Sequence, residues 1–341
     1  MFFSSAFKRF SRRQFSNNVH FFSRRQASYY YFDKPRSTTQ GLFLTPQHKK
    51  FLTYAGIILG VIVVSHIEEA PVTHRKRLML CPQWLEDDLG KISYRSIMAQ
   101  YGRYVLPDNN STAIRVRKVM SRLIHAAENY RDPETGQPQN LFTSMGGKSI
   151  PFNEWKIHVI DDVAMRQETP NAFVIGDGKV FVFRSILPLC RDDDGLATVL
   201  AHELGHQLAH HIGEKLTKSP LYVSLVILSY ALIGSNNIGN LAVSLGLEKP
   251  ASRNMETEAD YIGLMLMSTA CFNPHEAPDF WARMISFESK MGGSIPELIS
   301  THPSSQRRNV NLKEWMPRAK RQYELAGCGN FAQRFKSFSL F

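Results

Sequence analysis

The sequence predicts an α+β domain that is mostly helical, and three observations lead to this fold class. Apolar residues recur with helical period in several stretches after residue 89, and two shorter stretches carry the β-branched and aromatic residues of strands. The composition of the 341 residues, 43% apolar and 21% charged, excludes disordered and disulfide-built classes. The predicted helices cover residues 111–130, 194–216, 251–270, 275–291 and 304–326. The predicted strands cover residues 155–160 and a hairpin, 172–184, that turns at Gly176-Asp177-Gly178.

Residues 1–32 have the composition of a mitochondrial transit peptide, which is rich in Arg and Ser and free of acids. The basic residues of this segment are Lys8, Arg9, Arg12, Arg13, Arg24 and Arg25. A disordered basic tail that binds anionic lipid is the alternative. Residues 33–50 are predicted to be a linker.

Positive charge is concentrated near the start of the chain. Residues 1–50 contain ten Lys and Arg and one acid, Asp33, and therefore hold +9 of the net charge of +11. A domain that binds nucleic acid needs basic residues on its folded surface. Because the rest of the chain is nearly neutral, no nucleic-acid partner is expected.

Residues 51–67 are predicted to form a transmembrane helix. The run from Phe51 to Ser65 has no charge and is apolar all round, whereas a core helix, which is the alternative, normally shows a polar stripe. Lys49 and Lys50 precede the run, so that the positive-inside rule places the following chain in the intermembrane space. Residues 68–88 are predicted to connect this helix to a domain of residues 89–341.

A second uncharged run covers residues 219–247 and is interrupted by Gly and Asn near its middle. Each half is too short to cross a bilayer alone. A buried helical hairpin and a hairpin that dips into the membrane surface both fit this pattern.

The sequence His202-Glu203-Leu204-Gly205-His206 lies in a stretch with helical period. On a helix, His202 and His206 share one face, at a separation that lets both imidazoles bind one Zn²⁺. Glu203 is rotated by one position and can contact a zinc-bound water without binding the metal. His210 and His211 lie too near on the same helix to complete the site and are expected to face solvent.

A catalytic zinc needs a third protein ligand, which a second helix supplies. In the segment Glu256-Thr257-Glu258-Ala259-Asp260, Glu256 and Asp260 are i and i+4, whereas Glu258 faces elsewhere. The small residues Ala259 and Gly263 favour a close approach of the two helices. Glu256 is therefore predicted to bind zinc, and Asp260 to hold the second ring nitrogen of a ligand histidine.

These motifs resemble the membrane-associated gluzincin peptidases typified by HtpX and the CAAX prenyl protease. The resemblance covers about residues 90–315 and includes the hairpin before the HELGH helix and a late segment, Thr301-His302-Pro303 followed by Arg307. It implies a gluzincin-type domain with one Zn²⁺ per subunit. A transit peptide, one span and the short form are similar to the mitochondrial inner-membrane members of this family.

The resemblance also implies roles and partners. Glu203 would be the general base, His302 would donate a hydrogen bond to the oxyanion, and Arg307 would position His302 or a substrate carbonyl. The substrates would be misfolded or stress-marked inner-membrane proteins and a dynamin-like fusion GTPase, cleaved by a homo-oligomer in contact with membrane lipid. The alternatives are a non-catalytic zinc-binding scaffold or chaperone, and a lipid-binding protein that acts through residues 219–247.

The four cysteines, Cys81, Cys190, Cys271 and Cys328, are widely separated and form no CxxC pair, which argues against a cysteine zinc site. Cys271 and Cys328 both flank predicted helices of the domain expected in the intermembrane space. An oxidising compartment permits a bridge between them, which is our hypothesis.

Overall fold

The computed structural model describes residues 46–70, 72–144, 150–166, 168, 170–176, 178–219, 252–290, 302 and 306–329. The chain divides into a unit of residues 1–54 and a unit of residues 55–341. The predicted transit peptide, most of the predicted linker and nearly all of the apolar run 219–247 lie outside the described residues.

The described residues are mostly helical with small sheets, which confirms the predicted α+β class. The helices are α1 (Pro46–Ser65), α2 (Gln83–Tyr101), α3 (Ser111–Glu128), α4 (Leu187–Cys190), α5 (Asp193–Leu208), α6 (His211–Lys218), α7 (Arg253–Thr269), α8 (Glu276–Lys290) and α9 (Gln306–Leu325). The strands are β1 (Ile67–Glu69), β2 (Lys76–Leu78), β3 (Tyr130–Arg131), β4 (Pro138–Gln139), β5 (Lys156–Ile160), β6 (Ala172–Ile175) and β7 (Lys179–Phe183).

The largest sheet among the described residues has the strand order β5-β7-β6. Strand β7 pairs in parallel with β5, with Ile157 opposite Val180, and antiparallel with β6, with Phe173 opposite Phe181. Both predicted strand regions are thus confirmed. All five residues of β7 are buried because it is the central strand, and β6, at the edge, packs against α5.

Helices α5 and α7 pack against each other in the centre of the core. Small residues permit this approach: a Cβ atom added at Gly263 would lie 3.0 Å from the backbone nitrogen of His202, and one added at Gly205 would lie 2.9 Å from the carbonyl oxygen of Ala259. The expected close contact of the two helices is therefore present. Helices α3, α8 and α9 and strand β6 surround this pair.

The predicted helix 194–216 is two helices. His210 adopts a left-handed conformation with φ of 48°, which ends α5 and starts α6 at His211 in a new direction. A contact with a distant part of the chain holds this conformation, since His210 Nδ1 lies 2.8 Å from Glu86 Oε2. Glu86 belongs to α2, a helix that the periodicity did not predict and that begins inside the expected connector 68–88.

The predicted transmembrane helix 51–67 differs from the structure. Helix α1 includes the two lysines before residue 51 and ends at Ser65, and Ile67 already begins strand β1. Its uncharged part, Phe51–Ser65, rises only about 22 Å, which is less than the hydrocarbon thickness of about 30 Å. Within the described parts of the chain, no helix meets the length and hydropathy expected of a membrane span.

Cys271 and Cys328 form a disulfide with a Cα–Cα separation of 5.3 Å, which confirms the hypothesis of a bridge. The bond joins the end of α7 to the residues that follow α9. Cys81 and Cys190 are buried and do not take part in this bond.

Candidate metal centre

Helix α5 carries His202, Glu203 and His206, and its start is fixed by a cap. The side chain of Asp192 accepts hydrogen bonds from the backbone nitrogens of Asp194 and Gly195, as N-cap residues do. The helix is buried along most of its length, so that His202 and Glu203 are 2% and 3% exposed. The motif therefore lies inside the domain.

Helix α7 supplies the carboxylates from the opposite side. Ser252 caps it, and Glu256 and Asp260 follow on the face that packs on α5. Both side chains are buried. The predicted arrangement, in which two helices bring two imidazoles and a distant carboxylate together, is present.

The ligand atoms converge on one point. His202 Nε2 lies 3.2 Å from His206 Nε2. The carboxylate of Glu256 is 3.4 Å from His202 Nε2 and 3.3 Å from His206 Nε2. His302 joins them, with Nδ1 3.0 Å from Glu256 Oε1. One atom from each of these four residues lies within 4.8 Å of the others, which is the spacing of a metal ligand set.

The pKa shifts of His206 and Glu256 also suit a metal. Burial holds the pKa of His206 well below its usual value, which leaves a neutral imidazole with a free lone pair. Burial would raise the pKa of Glu256, but the neighbouring His302 and His206 hold it well below its usual value. Imidazole nitrogens with one carboxylate are donors that Zn²⁺ accepts. The residues therefore fit a divalent metal.

Glu203 lies beside the ligand atoms without being one of them. Its Oε1 atom is buried, has no hydrogen-bond partner among the described residues and lies 3.5 Å from His302 Nε2. Burial raises the pKa of Glu203, which increases its proton affinity as a base. A buried oxygen of this kind normally has a partner, and a metal-bound water would supply one.

His202 is held from behind by Asp260, as predicted. Asp260 Oδ1 lies 3.0 Å from His202 Nδ1, which leaves Nε2 directed at the other ligands. Arg308 donates to both oxygens of Asp260, each at 2.7 Å, and its guanidinium stacks 3.6 Å from the ring centre of Trp281. Arg308 Nη1 also lies 3.2 Å from Glu256 Oε2. One buried cation thus binds both Glu256 and Asp260.

The expectation for Arg307 needs correction. Arg307 is exposed on α9, and the next residue, Arg308, faces the centre. Neighbouring positions on a helix differ by about 100°, so that a shift of one residue exchanges the buried and exposed faces. Residues 303–305, which precede this helix in the sequence, lie outside the described residues.

The expectation that His210 and His211 face solvent is also wrong. His210 is half-buried against Glu86, and His211 is 1% exposed. His211 Nδ1 lies 2.7 Å from His206 Nδ1, and its Nε2 lies 3.0 Å from Glu258 Oε2. An uninterrupted helix does not predict this contact, which depends on the break at His210.

The fold and the site together define a metallopeptidase of the HExxH type. Residues 144–316 match the model of Peptidase family M48. The chain belongs to this family and is a metalloendopeptidase, which confirms the family and the enzyme class predicted from the motifs.

Similar proteins include two named mitochondrial metalloendopeptidase OMA1. That of Saccharomyces cerevisiae is 39% identical over 89% of this chain and 84% of its own length. That of Schizosaccharomyces pombe is 37% identical over 83% of this chain and 77% of its own length. The human metalloendopeptidase OMA1, mitochondrial, is 27% identical over 81% of this chain and 51% of its own length.

Proposed function

We propose that this protein is a zinc endopeptidase of the mitochondrial inner membrane that degrades misfolded or stress-marked membrane proteins. One observation carries the chemistry: His202, His206 and Glu256 direct ligand atoms at one point, with a buried base beside them. The names of the relatives support the location, since the fungal and human proteins are all called mitochondrial.

The residues divide the reaction between them. His202, His206 and Glu256 hold the metal, which when bound supplies Lewis acidity to a carbonyl and to a water. Glu203 Oε1 accepts the proton of the attacking water and returns it to the leaving amine. His302, whose Nε2 lies 3.5 Å from Glu203 Oε1, donates a hydrogen bond to the oxyanion.

An extended polypeptide is the substrate that suits this architecture. Strand β6 lies at the edge of its sheet and packs against α5, the helix that carries the base. Edge strands bind extended peptides through backbone hydrogen bonds. We include a dynamin-like fusion GTPase among the substrates and a homo-oligomer as the working form, both on the family resemblance.

Residues 1–32 would direct import, and α1 would contact the inner membrane, with the domain in the intermembrane space. Apolar side chains of α1 are exposed, including Ile58 at 60%, Val61 at 63% and Val64 at 70%. Large exposed apolar surfaces are typical of sites that bind membrane or protein. The disulfide between Cys271 and Cys328 fits an oxidising compartment.

The test is Glu203→Gln in the full-length protein, purified in detergent. Zinc content should remain near one per chain, whereas cleavage of an unfolded membrane protein should fall by at least about 10²-fold, since a general base contributes 10²–10⁴-fold. Glu256→Ala should lose the zinc. Undiminished cleavage by Glu203→Gln would exclude the proposed chemistry. A wild-type protein that performs its cellular role without cleaving the substrate would favour the zinc-binding scaffold.

A further inference from the structure

A chain of buried contacts leads from the second ligand histidine to the hairpin of β1 and β2. His206 Nδ1 lies 2.7 Å from His211 Nδ1, and His211 Nε2 lies 3.0 Å from Glu258 Oε2. Arg75, in the turn before β2, donates from Nε to Glu258 Oε2 at 2.9 Å. Thr73 donates a further hydrogen bond to Glu258. Three side chains thus link the ligand to a segment that is remote in sequence.

The backbone is shaped to make this contact. On a continuous helix, positions 206 and 211 would be about 140° apart and could not touch. The left-handed residue His210 redirects the chain, so that α6 begins with His211 turned back toward His206. Non-glycine residues in this conformation persist where the surrounding structure holds them, and His210 is held by Glu86.

The proton positions along the chain are mutually consistent. If Nε2 of His206 binds the metal, its remaining proton is on Nδ1, which donates to Nδ1 of His211. His211 then carries its own proton on Nε2 and donates to the carboxylate of Glu258. Each group therefore has a donor facing an acceptor, and each bond fixes the orientation of the next ring.

Arg75 closes the chain with a positive charge. Its Nη1 and Nη2 atoms donate to the two oxygens of Glu214, at 2.9 Å and 2.6 Å, while Nε binds Glu258. His211, Glu214 and Glu258 are themselves spaced like a metal ligand set. The guanidinium already compensates both carboxylates, so that no second metal ion is required there.

We propose that His211, Glu258 and Arg75 are positioning residues for the metal ligand His206, and that the β1–β2 hairpin thereby controls metal affinity. The proposal rests on the proposed metal centre. Ligand histidines held by a further hydrogen-bond partner bind metal more tightly, typically by 10–100-fold. The hairpin donates to Glu258 through Thr73 and Arg75, and helix α6 contacts it through His211.

The experiment measures zinc dissociation constants of full-length protein by competition with a chelator. Glu258→Gln keeps the shape of the side chain but sets an amide against Arg75, and His211→Phe keeps a ring without nitrogens. Both should weaken zinc binding by about 10–100-fold. Glu214→Gln is the matched control, since Glu214 is equally buried and accepts from the same arginine but, among the described contacts, accepts no hydrogen bond from His211. Its zinc affinity should stay within about twofold of the wild type.

A second readout separates positioning from general loss of structure. The visible absorption of the Co²⁺-loaded protein should change in Glu258→Gln and stay unchanged in Glu214→Gln. If Glu258→Gln does not fold, Arg75→Lys provides a second test. It keeps the positive charge but loses the planar set of N–H donors, and should weaken zinc binding several-fold.

Failure of the proposed metal centre and failure of the positioning chain would give different results. Wild-type protein without zinc would overturn the metal centre itself. One zinc in the wild type, none in His206→Ala, and equal affinity in Glu258→Gln and Glu214→Gln would leave the centre and overturn the positioning chain.

Discussion

The two histidines proposed as metal ligands lie on one helix and one turn apart, yet the domain holds them in different ways. His202 is backed by Asp260 and Arg308, both buried on helices α7 and α9. His206 is backed by His211, Glu258 and Arg75, and the last of these lies in a hairpin with its side chain 26% exposed. The first support is short and inside the core, whereas the second is longer and reaches the surface.

At the proposed metal centre, this difference predicts one rigid support and one support that responds to the surface. A bidentate arginine stacked on Trp281 has little freedom to move. A chain that ends in a partly exposed arginine moves with the hairpin that carries it. Disturbance of the surface should therefore reach the metal through His206 and spare His202.

The largest effect should come from Arg308→Met. Removal of this cation leaves Asp260 and Glu256 buried without their shared partner, and breaking a buried ion pair in this way costs about 3–5 kcal/mol of unfolding free energy. Urea unfolding of the metal-free protein measures the loss.

Two further variants test whether the large loss is specific to Arg308. Arg75→Met should cost less, about 1–3 kcal/mol, because Lys218 still binds Glu214 and His211 still binds Glu258. Arg307→Met, at the exposed neighbour, should stay within about 0.5 kcal/mol of the wild type. Equal losses for Arg308→Met and Arg75→Met would contradict the difference between the two supports.

The sequence was informative where chemistry follows from local spacing. The i, i+4 relation placed His202 beside His206 and Glu256 beside Asp260, and the small residues Ala259 and Gly263 indicated how the helices meet. These inferences depend on one helix at a time or on one close contact. They need no knowledge of the loops.

The sequence was less informative where a helix is interrupted and the chain changes direction. Arg308 was missed because the face on which a helical residue lies is uncertain by one position until the first residue of the helix is known. His211 was missed because a left-handed histidine interrupts a pattern that otherwise reads as one helix. The sequence still held one signal for these contacts. Glu214 and Glu258 lie on segments with apolar faces, and acids that are buried in this way require a cation such as Arg75.

Glycine substitutions at the α5–α7 contact test whether the position of the helix backbones, as well as the side chains, holds the two histidines. A methyl group at Gly263 would press on the backbone of His202, and one at Gly205 on that of Ala259. Such overpacking costs about 1–3 kcal/mol. We expect both Gly263→Ala and Gly205→Ala to weaken zinc binding, with thermal unfolding and zinc titration as the measurements.

Gly102→Ala is the control for these two variants. Its added methyl would meet only the side-chain carbon of Met98 at 3.5 Å, an ordinary contact. It should change unfolding free energy by no more than about 0.5 kcal/mol. Normal zinc affinity in Gly263→Ala would show that the helices can separate without moving the ligands.

The smallest effect concerns the acid stability of the ion pair between Arg75 and Glu214, which lies beside the longer support. Burial would raise the pKa of Glu214, but hydrogen bonds from Arg75 and Lys218 hold it at about 2. A carboxylate with a lowered pKa stabilises the fold above its unfolded pKa near 4.5 and loses this contribution as the pH falls toward 2. Between pH 7 and pH 4, wild-type protein should therefore lose roughly 0.8 kcal/mol more unfolding free energy than Glu214→Gln. Urea unfolding of metal-free protein at both pH values measures this difference, with Glu134→Gln, at an exposed carboxylate, expected to follow the wild type. Parallel losses in wild type and Glu214→Gln would mean that the arginine does not hold this acid ionised, and the ion pair would be weaker than its geometry indicates.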